Sequence, residues 1–296
     1  MIRETTDADV EALAALYRAA DDARVVSAAG ILHMRRTQPA RARSLHLVAE
    51  ADGAVVATAN AALNIWTSTE GAAWAFVTVD AAHRRRGIGE ELGRRLLDHL
   101  RSLDATKATC LFRWTEEGEQ WAVAQGWSRL LTGPLIAIDP RVVTEPSLPH
   151  GYRWVPMAEM APEAVFEAVR EAALDEPMPV PNDAFVLDDF LREWDEPDAD
   201  HESSTAVLDE DANVAAFSFL LTAGERASHG FTGTVRKHRG HGLATAAKRR
   251  TLQAAAARGV TRVTTSNAEE NAAMRTINRN LGFEQIGEHV IFGCDL

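Results

Sequence analysis

Residues 231–283 read FTGTVRKHRGHGLATAAKRRTLQAAAARGVTRVTTSNAEENAAMRTINRNLGF, and this stretch decides the fold. Its opening, 231–235, reads as a short β-type run. The turn Arg239-Gly240-His241-Gly242 follows, and then an Ala-rich helix over about 243–258. Glycines at such a turn leave backbone N–H groups bare. The helix N-terminus behind them adds about half a positive charge, so the turn is suited to holding a phosphate. Arg239 adds a full charge, and Thr245 in the first helical turn offers a hydroxyl that caps the helix or meets an anion. Taken alone, this turn is equally well a tight strand-to-helix connection. The pattern continues, however, after Gly259: a second β-type run at 260–265, then Asn267 and Asn271, and finally Leu281-Gly282-Phe283.

Working outward, the same order of features occurs once more, earlier in the chain. Residues 73–103 read AWAFVTVDAAHRRRGIGEELGRRLLDHLRSL: a strand at about 74–79, a turn, and a helix over about 90–103. Arg84-x-x-Gly87-x-Gly89 parallels Arg239-x-x-Gly242-x-Ala244, with Gly87 and Gly242 lying 155 residues apart. Gly126-Trp127 stands 156 residues before Gly282-Phe283. A shared offset across strand, loop, helix and closing aromatic marks an internal repeat. A division into residues 1–140, a proline-bearing linker at 141–150, and residues 151–296 follows, and 296 residues suit two domains of about 150.

These motifs resemble the GCN5-related N-acetyltransferases (GNAT), whose pyrophosphate loop reads Arg/Gln-x-x-Gly-x-Gly/Ala. The likeness runs through Thr265-x-Asn267-x-x-x-Asn271 to the closing Leu-Gly-Phe. In having two copies, the chain is similar to the tandem group that includes the mycothiol synthases. The resemblance implies two α/β (α+β) folds. Each has a mixed, mostly antiparallel sheet flanked by helices, with splayed fourth and fifth strands that hold the pantetheine of acetyl-CoA. It implies cofactor contacts from Thr234, Val235, Arg239, Gly240, His241, Gly242, Leu243, Ala244, Thr245, Asn267 and Asn271 in the second copy. In the first copy the equivalents are Val79, Arg84, Arg85, Arg86, Gly87, Ile88 and Gly89. For the two asparagines, turn formation is the competing reading.

The chemistry implied is direct acetyl transfer to the primary amine of a small molecule, by the second copy, with the first degenerate. A tyrosine commonly serves as general acid four residues before the closing glycine. Asn278 holds that place here, and an amide cannot usefully donate its proton. The family's base is often a glutamate entering the fourth strand. The nearest titratable groups are Glu225 and His229, and His229 has the better-suited pKa, although a histidine ahead of a strand is equally an ordinary surface residue. In the first copy Ala122 holds the tyrosine place and Thr115 stands where the second has Asn271. An acetyl-CoA sensor without turnover, and a protein or peptide N-acetyltransferase, are the competing functions.

Elsewhere the reading is simpler. Thr6 caps an amphipathic helix, Asp52-Gly53 joins a hairpin, and Pro162 opens a helix. The acid- and proline-rich segment 175–202 is either a solvated excursion or, with Met178, Phe185, Phe190 and Trp194 as apolar anchors, part of the acceptor site. A net charge of −12 argues against nucleic acid as a partner and tolerates a cationic amine. Cys110 and Cys294 match no metal or redox spacing, and no stretch approaches the roughly 20 apolar residues of a membrane span. A cytoplasmic protein with no membrane partner is expected.

Overall fold

A computed structural model describes residues 1–296 and divides them into two compact units. The first gathers residues 1–133, 178–184 and 287–296, and the second gathers 134–177 and 185–286. In chain order the first half supplies β1 (Ile2–Glu4), α1 (Val10–Ala20), α2 (Ala28–Thr37), β2 (Leu45–Ala51), β3 (Ala54–Leu63) and β4 (Ala72–Val79). It continues with α3 (Ile88–Arg101), β5 (Lys107–Arg113), α4 (Glu116–Ala124) and β6 (Ser128–Ile138). The second half supplies β7 (Arg153–Pro156), α5 (Pro162–Ala173), α6 (Leu187–Trp194), β8 (Thr205–Leu208), β9 (Val214–Ala223) and β10 (Arg226–Thr234). Last come α7 (Leu243–Ala257), β11 (Val263–Ser266), α8 (Ala272–Leu281) and β12 (Glu284–Asp295).

Local sequence explains most of these elements. Asp52 and Gly53, with φ of 52° and 79°, form the two-residue turn between β2 and β3, a conformation that matches the twist of the flanking strands. Along α3, Leu92, Leu96 and Leu100 recur every four residues and are wholly buried against strand alanines, among them Ala57, Ala59 and Ala73. Small strand side chains let the helix lie close, and each buried leucine contributes about 1.5–3 kcal/mol.

Within each unit the sheet is antiparallel except at one pair. The first runs β1-β2-β3-β4-β5-β12 and the second β7-β8-β9-β10-β11-β6. The exceptions, β4 with β5 and β10 with β11, are parallel because a helix connects them. Both parallel ladders are short. β4 and β5 pair through Ala72–Trp74 opposite Lys107–Thr109. β10 and β11 pair only at Ala227–Val263 and Ser228–Thr264. Beyond those residues the strands part, and β10 also carries a bulge between His229 and Thr232. In the second unit α5 packs on the Phe217 face of the sheet, whereas α7 packs on the opposite face, against Ala215 and Ala216.

A division at 141–150 does not capture the compact units, because segments cross over. Residues 289–295 of β12 pair with β5, and residues 135–138 of β6 pair with β11. The first unit also takes in 178–184, where the Ala184 N–H donates to the Trp66 carbonyl and Ser68 donates twice to the Asp183 carboxylate. No helix is long and apolar enough to cross a membrane.

Candidate active site

The two glycine loops share one construction. A short turn after β4 leads to Arg84, and α3 then starts behind Gly87 at φ 77°. A short turn after β10 leads to Arg239, and α7 starts behind Gly242 at φ 74°, preceded by Gly240 at φ 82°. The arginine Nε braces the strand end in both, from Arg84 to the Val79 carbonyl at 3.2 Å and from Arg239 to the Thr234 carbonyl at 3.1 Å. No side chain caps either helix, so the first N–H groups face outward. A Cβ on Gly240 or Gly242 meets no atom within 4 Å, so the ground before those N–H groups is open. That cradle fits a pyrophosphate. Around it Leu243 is buried and anchors the helix, while Thr234, Val235, Ala244 and Thr245 are half-buried.

The carboxylates around the loops differ. In the second unit Asp175, just past α5, accepts from Arg236 at 2.8 Å and Arg239 at 2.5 Å, and these guanidinium bonds hold its carboxyl at about 2. In the first unit Glu117 of α4 accepts from Arg84 at 2.9 Å and Arg85 at 3.1 Å. The same helix lays Trp121 on the first turns of α3, where a Cβ on Gly89 or on Gly93 lies 3.7 Å from its indole. Trp121 packs in one apolar cluster with Val79, Ile88 and Phe112, while Arg86 turns back to the Ala82 carbonyl. By the repeat offset, Ala273 and Ile277 hold the places of Glu117 and Trp121, and α8 has no acid at all.

Several sequence-derived roles change. His229 does not precede the strand: β10 begins at Arg226, so the imidazole is inside it, 3% exposed, on the α7 side. Its Nδ1 lies 3.2 Å from both Ser218 Oγ and the Phe219 carbonyl, and its Nε2 has no partner. Burial, helped by the Lys248 charge, pushes it well below the ordinary histidine range, so it is neutral and out of solvent's reach. It is a poor base. His241 is exposed and turned to the His238 carbonyl, while His238 sits between Tyr152 and Asp209.

Asn271 caps α8 by accepting from the Met274 N–H, as Thr115 caps α4 through the Gly118 N–H. Asn267 accepts from Asn278 Nδ2 at 2.6 Å, so both asparagines of the motif are engaged with α8. Asn278 is 1% exposed, and its Oδ1 has no partner.

Two further features shape this region. Lys248 of α7 is 1% exposed, with Nζ 5.2 Å over the Phe283 ring, and burial pushes its amine down to about 7. Its spacing among Ala247, Thr251, Leu252 and Ala255 does place it on the buried stripe of α7. On the opposite face of the sheet, seven aromatic rings adjoin one another. Phe166, Phe190 and Phe217 are buried, with Phe185, Trp194, Phe219 and Phe231 half-buried around them. Phe217 and Phe231 centroids lie 5.4 Å apart, Phe190 and Trp194 5.6 Å. Phe231 belongs to the β10 bulge, just past the last β10–β11 pair. Of the expected anchors, Phe185, Phe190 and Trp194 join this set, whereas Met178 lies in the first unit.

Residues 13–124 match the acetyltransferase (GNAT) family model, and residues 155–284 match an acetyltransferase (GNAT) domain model. Among curated proteins none matches the sequence significantly. Solved structures do match in fold. A tandem GNAT protein from the clavulanic acid biosynthesis pathway is 21% identical, with 100% of this chain and 98% of that one covered at a TM-score of 0.77. A GCN5-related N-acetyltransferase from Sphaerobacter thermophilus is 18% identical, covering 100% and 95% at 0.72. Another, from Kribbella flavida, is 19% identical, covering 90% and 95% at 0.51.

Proposed function

Because the chain belongs to the acetyltransferase (GNAT) family, with two of its domains in tandem, we propose that it acetylates the primary amine of a small molecule and that the second unit does the work. Acetyl-CoA is the donor that the family uses. The observation that carries the assignment is the asymmetry of the two loops. Each loop has a carboxylate on its arginines, Glu117 in the first unit and Asp175 in the second, but in the first unit Trp121 also covers the start of α3. In the second unit Ile277 holds the tryptophan's place.

In the second unit the N–H groups behind Gly242 and the Arg239 guanidinium hold the phosphates, with Arg239 leaving Asp175 to do so. The parting of β10 from β11 leaves backbone groups free to hold the acyl arm. The aromatic face receives the acceptor, and orientation of the amine against the thioester supplies much of the rate. On α6, Glu193 keeps a third of its side chain exposed, and burial of the carboxyl pushes it up to about 7. A carboxylate with that pKa suits removal of the acceptor's proton.

Release of free CoA thiol with a panel of small amines tests the reading. Turnover of amines, with peptides and protein N-termini inert, is the expected result. Turnover of peptides alone would remove the small-molecule assignment. Trp194→Ala is expected to raise the KM for the best amine about fivefold, since a lost aromatic contact costs on the order of 1 kcal/mol, and to leave the acetyl-CoA KM unchanged. An acceptor KM within twofold of wild type would take the aromatic face out of the account.

A further inference from the structure

The mechanism so far leaves one group unused and one role unfilled. Lys248 is a whole lysine side chain in the interior, and no carboxylate accompanies it. Buried ammonium groups are costly unless paired. The elements packed around it offer no acid. Thr205 comes from β8, Ser218 from β9, His229 and Thr232 from β10, Thr264 and Thr265 from β11, and Asn278 from α8, whose Arg275 and Arg279 are exposed, while residues 140–142 bring Arg141, which is paired with Asp139. His229 is neutral, and burial alone shifts the lysine. Two acceptors in the same interior, His229 Nε2 and Asn278 Oδ1, have no partner. The unfilled role is the donor of a proton to the leaving sulfur, where Asn278 stands.

We propose that Lys248 is the catalytic acid of the second unit, its ammonium facing the sulfur of acetyl-CoA where β10 and β11 part. The placement has three supports. Lys248 lies on the first turns of α7, directly behind the phosphate cradle. It faces the His229 side of β10, and His229 is the first residue past the β10–β11 ladder. Its Nζ lies over Phe283, whose N–H donates to the Asn278 carbonyl at the end of α8.

The step balances as follows. The acceptor nitrogen bonds to the acetyl carbon, the carbon–sulfur bond breaks, and sulfur leaves with the electron pair. Lys248 gives its proton to that sulfur. A thiol holds its proton more tightly than an amine pushed down to about 7, so the transfer runs downhill. The neutral Lys248 then takes up one of the two protons that the acceptor ammonium loses. Glu193 takes the other and passes it to solvent, and amide and thiol result.

This inference rests on the proposed acetyl transfer, and the test separates the two. Wild-type kcat is expected to fall as pH rises through about 7, because the acid must be protonated. Lys248→Met is expected to lose roughly 100-fold in kcat and that basic limb, with KM for acetyl-CoA within threefold. Lys248→Arg, permanently charged, keeps part of the rate and shows no limb.

Stability supplies the check against a merely structural role. The folded pKa lies below the unfolded one, so the unfolded chain binds the extra proton between about 7 and the ordinary lysine value of 10.5. The lysine's penalty is therefore complete below about 7 and vanishes as pH rises through that window. Lys248→Met should melt higher than wild type at pH 7, with the gap closing toward pH 10. A variant with wild-type kcat and profile, or one that melts lower with the limb intact, overturns the inference alone. Absence of CoA binding by the wild type would overturn the acetyl-transfer reading together with the inference.

Discussion

Gly242→Glu is expected to abolish acetyl-CoA binding by the second unit, a loss of a hundredfold or more, and turnover with it. The residue has a φ of 74°, which disfavours any side chain, and a Cβ there points into open ground before the α7 N–H groups. A carboxylate in that ground meets the phosphates. At about 4 Å and an effective dielectric near 20, two like charges repel by about 4 kcal/mol, roughly a thousandfold in affinity. The fold should survive, since an acid at a helix N-terminus is favourable to the helix. The same change at Gly87 is expected to leave turnover within twofold, because Trp121 already covers the start of α3 and the reaction is assigned to the second unit. Wild-type affinity in Gly242→Glu would remove the loop from the site. Loss of turnover in Gly87→Glu would move the chemistry to the first unit.

Gly233→Val is expected to cost about 3 kcal/mol of stability or more, read as a lower midpoint in urea. A Cβ on Gly233 stands 2.6 Å from Phe217 Cζ and 2.7 Å from Ala172 Cβ, distances that packed carbons do not tolerate. Only hydrogen fits where α5 presses on β10. The consequence reaches function, because Phe217 supports Phe231 in the bulge at the mouth of the acceptor face. Surviving protein should therefore show a raised acceptor KM with little change for acetyl-CoA. A stability within 0.5 kcal/mol of wild type would mean that α5 does not lie this close.

The features that local chemistry controls were legible before any coordinates. The paired glycine loops announce themselves because a strand-to-helix turn with bare N–H groups needs Gly87, Gly240 and Gly242 at positive φ. The Asp52-Gly53 hairpin and the proline-led α5 are equally local. What depends on partners far along the chain was not legible. The strand at 284–295 has nothing in its own residues that names β5 as its neighbour, so the crossing of β12 and of 178–184 stayed hidden. His229 is hidden for a related reason: Arg226, Ser228 and Gly230 weaken the β pattern, so the residues themselves point to a strand from 231 rather than 226. Asn271 shows a limit of motif reading, since its side chain is occupied in capping α8. Lys248 was legible in spacing but masked by its residue type, because lysine is rarely placed in a core.

The account stands or falls on which cradle takes the donor. Calorimetric titration of the full chain with acetyl-CoA should give one site per chain, lost in Gly242→Glu and kept in Gly87→Glu. Two equivalent sites, or a single site lost in Gly87→Glu, would contradict the claim that Trp121 covers the first unit's loop and that the second unit carries the reaction.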